Sequence, residues 1–160
     1  MANDSEVRIV TYADRHKQAF SDLNLAWISK YFTVEEIDRQ QLSRPVEEII
    51  EPGGQIFMAE LNGQIIGTVA MIPARTGEYE LAKMAVTPNA QGHGIGGLLI
   101  EKSLQWAREH QARSVMLLSN RMLGPAIHLY EKFGFTEDSM DDKSSDYNRC
   151  DITMRLHLKN

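Results

Sequence analysis

The chain is predicted to be an α/β (α+β) protein, a mixed, mostly antiparallel sheet of about seven strands with helices on both faces. Three observations lead there. Asn62-Gly63 separates two apolar runs, Gln55–Leu61 and Gln64–Ile72. It is the strongest short hairpin signal, because both central residues of that turn need positive φ. A third run, Tyr79–Val86, follows after a short turn around Gly77, so the middle of the chain reads as an antiparallel meander. Beyond it, helical spacing, a short apolar run and helical spacing again form one βαβ passage, which adds a parallel strand.

The remaining elements follow in order. Val7 to Thr11 alternates as a first strand, and about Asp14 to Phe32 shows helical spacing with Phe20, Leu23, Trp27, Ile28 and Tyr31 on one face. Thr33 and Glu36 form a capping-box pair, so a second helix starts after Thr33. Pro45 opens a short helical turn, Val46 to Ile50, which Glu-Pro-Gly-Gly ends. Ile95 to about Gln111 is a helix buried through Leu98, Leu99, Ile100, Leu104 and Ala107. Ser114 to Leu118 is a short strand ending in Ser119-Asn120. Pro125 and Gly134 bracket the next helix. Phe135 leads into a sixth strand, a polar loop runs from about Asp138 to Asn148, and Cys150 to Leu158 is the last strand.

No repeat, low-complexity tract or linker interrupts this order, so residues 6–160 form one domain. A formal charge of −5 argues against nucleic acid as the main partner. Cys150 is the only cysteine, which is compatible with a reducing compartment, and its alternating surroundings suit a small core residue better than a reactive thiol. No apolar stretch approaches ~20 residues and the N-terminus lacks a signal-peptide pattern, so a cytoplasmic protein without a membrane partner is expected.

The chemistry is concentrated in Gln91-Gly92-His93-Gly94-Ile95-Gly96-Gly97, a glycine-dense loop that feeds a helix N-terminus. Backbone amides there lack intrahelical acceptors and the helix dipole favours negative charge, so the loop proposes a phosphorylated ligand. Gly92, Gly94 and Gly97 satisfy G-x-G-x-x-G, but a dinucleotide site needs the first glycine directly after its strand and an acidic residue ~20 positions on. Here Thr87 to Gln91 intervene, and the next strand ends in Ser119-Asn120 without a carboxylate. A P-loop is excluded as well, since no Lys-Ser or Lys-Thr follows the last glycine.

Gln91, Gly94 and Gly96 fall on the three defining positions of Q/R-x-x-G-x-G/A, and the segment resembles the acyl-CoA-binding motif of the GCN5-related N-acetyltransferase (GNAT) superfamily. Ala126 to Phe135 looks like that superfamily's second helical signature, and the element order β-α-α-βββ-α-β-α-β-β is also the superfamily's. The resemblance implies the acyl-CoA N-acyltransferase (GNAT) fold, acetyl-CoA as cosubstrate without a metal, and acetyl transfer to a primary amine by direct attack through a tetrahedral intermediate. It assigns cofactor contacts to Met84, Ala85 and Val86 through the main chain, to Gln91, Gly92, His93, Gly94, Ile95, Gly96 and Gly97 around the pyrophosphate, and to Asn120. Many relatives carry arginine where this chain has Gln91, and often a basic residue where it has His93, so backbone amides carry most of the phosphate binding.

The resemblance also implies Glu80 as general base, the Val86 amide as oxyanion donor and Tyr130 as general acid toward the CoA sulfur. The residue-level alternatives are a Glu80 that is an edge-strand group or pairs with Lys83, a Tyr130 that is plain core, an Asn120 that only makes a strand-end turn, and an acidic late loop that is simply solvated. The acceptor side is expected from Trp27, Tyr31, Phe32, Glu35, Glu36 and Asp38, with Asp138, Asp141, Asp142 and Asp146 in the late loop. Those carboxylates would favour a cationic acceptor, a small-molecule or peptide amine. Homodimers are common among similar proteins. The competing functions are a non-catalytic acyl-CoA-binding or sensing module and a nicotinamide-dependent dehydrogenase, which already lacks its ribose carboxylate.

Overall fold

A computed structural model describes residues 6–139 and 147–159. Arg8–Thr11 (β1) lies antiparallel to Gln55–Leu61 (β2), which turns through Asn62-Gly63 into Gln64–Pro73 (β3) and then Glu78–Val86 (β4). Asn62 and Gly63 have φ of +54° and +79°, the two positive values that this turn requires. Ser114–Ser119 (β5) runs parallel to β4, and Ile152–His157 (β7) returns antiparallel between β5 and Thr136–Asp138 (β6). Among the described residues the sheet order is therefore β1-β2-β3-β4-β5-β7-β6.

Lys17–Tyr31 (α1) and Glu36–Ser43 (α2) cover one face, where Phe20, Leu42 and Ile49 close over Ile56, Met58 and Ala70. Ile95–Glu109 (α3) and Gly124–Lys132 (α4) cover the other, over a larger core that includes Phe57, Val69, Leu99, Leu117 and Phe135. Burying side chains of this size stabilises the fold by about 1.5–3 kcal/mol each.

Three local expectations are corrected. The buried line of α1 is Phe20, Asn24 and Ile28, while Tyr31 is 48% exposed. Asn24 tolerates burial because its amide donates to Phe20 O (3.0 Å) and accepts from Trp27 Nε1 (3.3 Å). Leu23, Trp27 and Tyr31 thus flank the face instead of filling it. The second helix is not opened by Thr33 and Glu36: Glu35 occupies the N-cap, and its N–H donates to Asp38 Oδ2 at 2.9 Å. In α3, Leu98 is 39% exposed and Ser103 is buried in its place, its hydroxyl donating to Leu99 O at 2.8 Å.

The turn after Pro45 is a wide one, closed by Glu51 N–H donating to Val46 O. Gly54 then lets the chain pass close to β3 and the preceding turn, since a Cβ there would lie 2.2 Å from Met71 O and 2.7 Å from Ile49 O. Both obstacles are backbone, so Gly54→Ala is expected to cost about 3 kcal/mol. At this chain length that lowers Tm by roughly 6–12 °C in a thermal unfolding scan.

Candidate active site

β4 and β5 pair only at their first residues, Glu78–Glu80 against Ser114–Met116. Beyond that they diverge. The closed end is pinned by Glu78, which accepts from Ser114 Oγ and Arg155 Nε, both at 2.8 Å. Burial alone would raise the Glu78 carboxyl, but Arg155 and Ser114 outweigh it and hold the group below the usual range. Arg155 also pairs with Asp138, so that acid is occupied at the sheet edge.

The open end of the V holds a cavity of about 180 Å³. Glu80, Lys83 and Met84 line it from β4, Asn120 from the end of β5, and Tyr130 from α4. Trp27 and Phe32 close the α1 side, and Tyr147, Arg149 and Cys150 close it from the segment before β7. Glu80 stands on an interior strand and is 5% exposed, so the edge-strand alternative does not hold. Tyr130 is 9% exposed, its ring edge-on to Phe135, and no hydrogen bond engages its hydroxyl among the described residues. Burial pushes its phenol up to about 12. Cys150 precedes the last strand instead of lying in it, is half-buried, and burial pushes its thiol up to about 12, which leaves it unreactive near neutral pH.

The end of β4 presents its main chain to the cleft. Thr87 N–H donates to Ile66 O, and Gly67 faces Val86 in the register. Antiparallel pairs alternate, so the groups of Val86 point away from β3 toward the open edge. There Val86 O accepts from Gln91 Nε2 at 3.0 Å. The Gln91 side chain thus acts as a strut between loop and strand.

The loop itself is exposed from Gln91 to Gly94. Gly92 and Gly94 have φ of +84° and +80°, and Gly94 is the N-cap of α3. Among the described residues no amide from Gly92 through His93 to Gly97 has a backbone acceptor, and the first that does is Leu98, donating to Gly94 O. Such a row of free amides at a helix start fits a pyrophosphate. Ile95 anchors the helix start in the core, 4% exposed. Gly96 also packs closely on α4, since a Cβ there would sit 3.0 Å from Leu129 Cδ2. Asn120 lines the cavity, but its amide is engaged: Nδ2 donates to Arg149 O (2.6 Å) and Oδ1 accepts from Met122 N–H (2.9 Å). These bonds tie the end of β5 to the segment before β7.

The acceptor-side expectation needs the largest correction. Asp38 is not a free carboxylate waiting for a cation. It is fully buried and accepts from Lys83 Nζ (2.7 Å), Arg149 Nη1 (2.6 Å) and Arg149 Nη2 (2.8 Å). Burial works to raise Asp38, and the hydrogen bonds and charges of Arg149 and Lys83 overcome it and hold the group far below the usual range. Burial lowers Lys83 from the ordinary lysine value, against the pull of Asp38. Glu35 accepts from Asn148 N–H and approaches Arg149 at 3.4 Å, and Glu36 pairs with Arg39 in solvent. Tyr147 accepts from Lys83 (3.1 Å) and donates to Gln41 (3.3 Å), and Arg149 lies over the rings of Trp27 and Tyr147. Tyr31 faces a separate groove with Trp27, Val86 and Gln91. Asp141, Asp142 and Asp146 lie outside the described residues. The cluster of Lys83, Tyr147 and Arg149 was not legible beforehand as a site. Its only local trace is Lys83, a lysine in an otherwise apolar strand.

Among the described residues no three of His, Cys, Asp and Glu come together as a metal site, and no helix is long and apolar enough to cross a membrane.

Comparison with known proteins agrees with this geometry. Residues 17–135 match the Acetyltransferase (GNAT) family pattern. The rat N-acetyltransferase family 8 member 2 is 28% identical over 114 residues, covering 68% of this chain and 50% of that protein, so the chain spans about half the length of that relative. A GNAT-family acetyltransferase of Staphylococcus aureus superposes with a TM-score of 0.88 at 20% identity, over 96% of this chain and 100% of that one. The PaiA N-acetyltransferase of Thermoplasma acidophilum, solved in complex with coenzyme A, superposes with a TM-score of 0.73 at 16% identity, over 96% and 99% of the two chains. The chain belongs to the Acetyltransferase (GNAT) family.

Proposed function

We propose that this chain transfers the acetyl group of acetyl-CoA to a primary amine. The observation that carries the reading is the splay between β4 and β5, which gathers Glu80 and Tyr130 on the walls of one cavity, below a row of free loop amides. Acetyl-CoA supplies the activated thioester. The amides from Gly92 to Gly97 bind its pyrophosphate, and the open edge of Met84 to Val86 pairs with the pantetheine arm. Glu80 takes the proton of the incoming ammonium, and the Val86 N–H donates to the developing oxyanion. Tyr130 donates a hydrogen bond to the departing sulfur. A cavity of about 180 Å³ suits an amine on a slender arm, with the body of the acceptor outside.

Incubation with acetyl-CoA and a panel of primary amines, with titration of released CoA thiol, tests this. Time-dependent release above the amine-free background is expected for at least one class, from small aliphatic amines, amino acids or peptide amines. Binding of acetyl-CoA without release across the whole panel would leave a non-catalytic acyl-CoA-binding module instead.

A further inference from the structure

Residues three apart on a regular strand point to opposite faces. Glu80 pairs with Ile72 and shares the face of Ala82, which packs beneath α1 and α2. Alternation alone would send Lys83 to the α3 face. The register prevents this: Thr68 faces Ala85 whereas Ala70 faces Ala82, so β4 carries one extra residue at Lys83 and Met84. Lys83 takes φ of +54° there, a left-handed conformation disfavoured for any residue with a Cβ. This bulge turns Lys83 back to the side of Glu80.

The ammonium is held on that side by Asp38 and the Tyr147 hydroxyl, and Arg149 donates to both oxygens of the same carboxylate. Two buried cations thus converge on one buried carboxylate, and Glu80 is the next acid in the same cavity wall, close enough for its charge to act on Lys83. A strut between β4 and α2 does not require buried charges, since apolar side chains of similar volume usually serve as well or better. Charges kept at that cost beside a reactive cleft point to a role in the chemistry.

We propose that Lys83 is a positioning residue for acetyl transfer: locked by Asp38 and Tyr147, it fixes the β4 bulge and presents its ammonium, ion-paired with Asp38, to Glu80. The inference rests on the reading of Glu80 as the base. Charged and titratable groups face Glu80 from several elements. α2 and the turn before it bring Asp38 and Glu35, and the segment before β7 brings Tyr147, Arg149 and Cys150. Tyr130 faces it from α4, while the paired positions on β3 and β5, Ile72 and Met116, carry no titratable group. Burial keeps Tyr130, Tyr147 and Cys150 neutral, which leaves Lys83, Arg149, Asp38 and Glu35 as charged groups in these surroundings.

The test is the pH profile of kcat/KM for the amine, with thermal unfolding in parallel. Lys83→Met removes a positive charge from beside the base, so Glu80 ionises less readily and the acidic limb is expected to move up by about one pH unit. Asp38→Asn removes a negative charge and is expected to move the limb the opposite way. If both variants lose rate and Tm but keep the wild-type limb, Lys83 is merely structural and the inference is wrong. Should Lys83→Met fail to fold, Lys83→Gln, which keeps a hydrogen bond to Asp38, reads the same limb with the same expected direction. Glu80→Gln separates this from the reading beneath it. A Glu80→Gln enzyme with wild-type turnover removes the base and the role of Lys83 together. An impaired Glu80→Gln enzyme beside an unmoved limb in Lys83→Met removes the role of Lys83 alone.

Discussion

Glu80→Gln is expected to lower kcat/KM for the amine by on the order of 10²–10⁴-fold at pH 7, the usual range for loss of a general base. The reason lies in the acceptor. An alkylammonium has a pKa near 10.4, so only about one molecule in 2,500 is a free amine at neutral pH. A carboxylate in the cavity wall removes that proton where the nucleophile is needed, and glutamine cannot. The variant then depends on free amine delivered from solution, so its kcat/KM should rise about tenfold per pH unit between pH 7 and 9. The wild-type profile should be much flatter over that interval. The acetyl-CoA KM should stay within about threefold, because the cavity that Glu80 lines does not include the loop proposed to hold the phosphates. Steady-state kinetics across pH, with thiol release as the readout, check all three statements. A variant with wild-type turnover at pH 7 would move the base to another group or to ordered water.

The parts of this molecule that the sequence makes legible are those governed by local chemistry. Asn62-Gly63 identifies its hairpin because the required φ values depend on two adjacent residues. The glycine loop likewise declares itself through spacing alone, and its free amides follow from the geometry of any helix start. Periodicity was less reliable for α1, where Asn24 lies on the buried line that an apolar pattern would assign to Leu23 or Trp27. Burial of a polar residue becomes acceptable only once its partners are known, and those partners are made by the helix itself. The acidic residues around α2 misled for the opposite reason. Asp38 reads as a surface carboxylate, yet Lys83 is 45 positions away and Arg149 is 111 positions away, and tertiary packing brings both to it. A β-bulge that redirects one side chain leaves no signature in an apolar strand. Gln91 shows the same limit on a smaller scale: the motif marks the residue, but the bond to Val86 O that defines its role depends on how loop and strand meet.

Tyr130→Phe is expected to lower kcat by about 10–100-fold, roughly 1.4–2.7 kcal/mol of transition-state stabilisation, with the dissociation constant of CoA nearly unchanged. The size follows from how burial sets the phenol. With its pKa pushed up to about 12, Tyr130 stays protonated throughout the assay range and is always a donor, never a base. The leaving thiolate has a thiol pKa of about 8.5, so complete transfer of the phenolic proton to sulfur runs uphill by about 3.5 pKa units, or roughly 5 kcal/mol. Full proton transfer is therefore the costly route, and a strong hydrogen bond to the sulfur as negative charge develops is the favourable one. Removing a single hydrogen bond to a charged group costs about 1.5–3 kcal/mol, which agrees with the expected loss. Phenylalanine keeps the ring against Phe135, so the fold and the cofactor loop should be undisturbed. The pH dependence supplies the sharper check. A group that ionises near pH 12 contributes no basic limb below about pH 11. The profile of Tyr130→Phe should therefore run parallel to the wild-type profile at a lower level. A basic limb between pH 8 and 10 that disappears in Tyr130→Phe would show that bound acetyl-CoA lowers the phenol into the range of a true general acid.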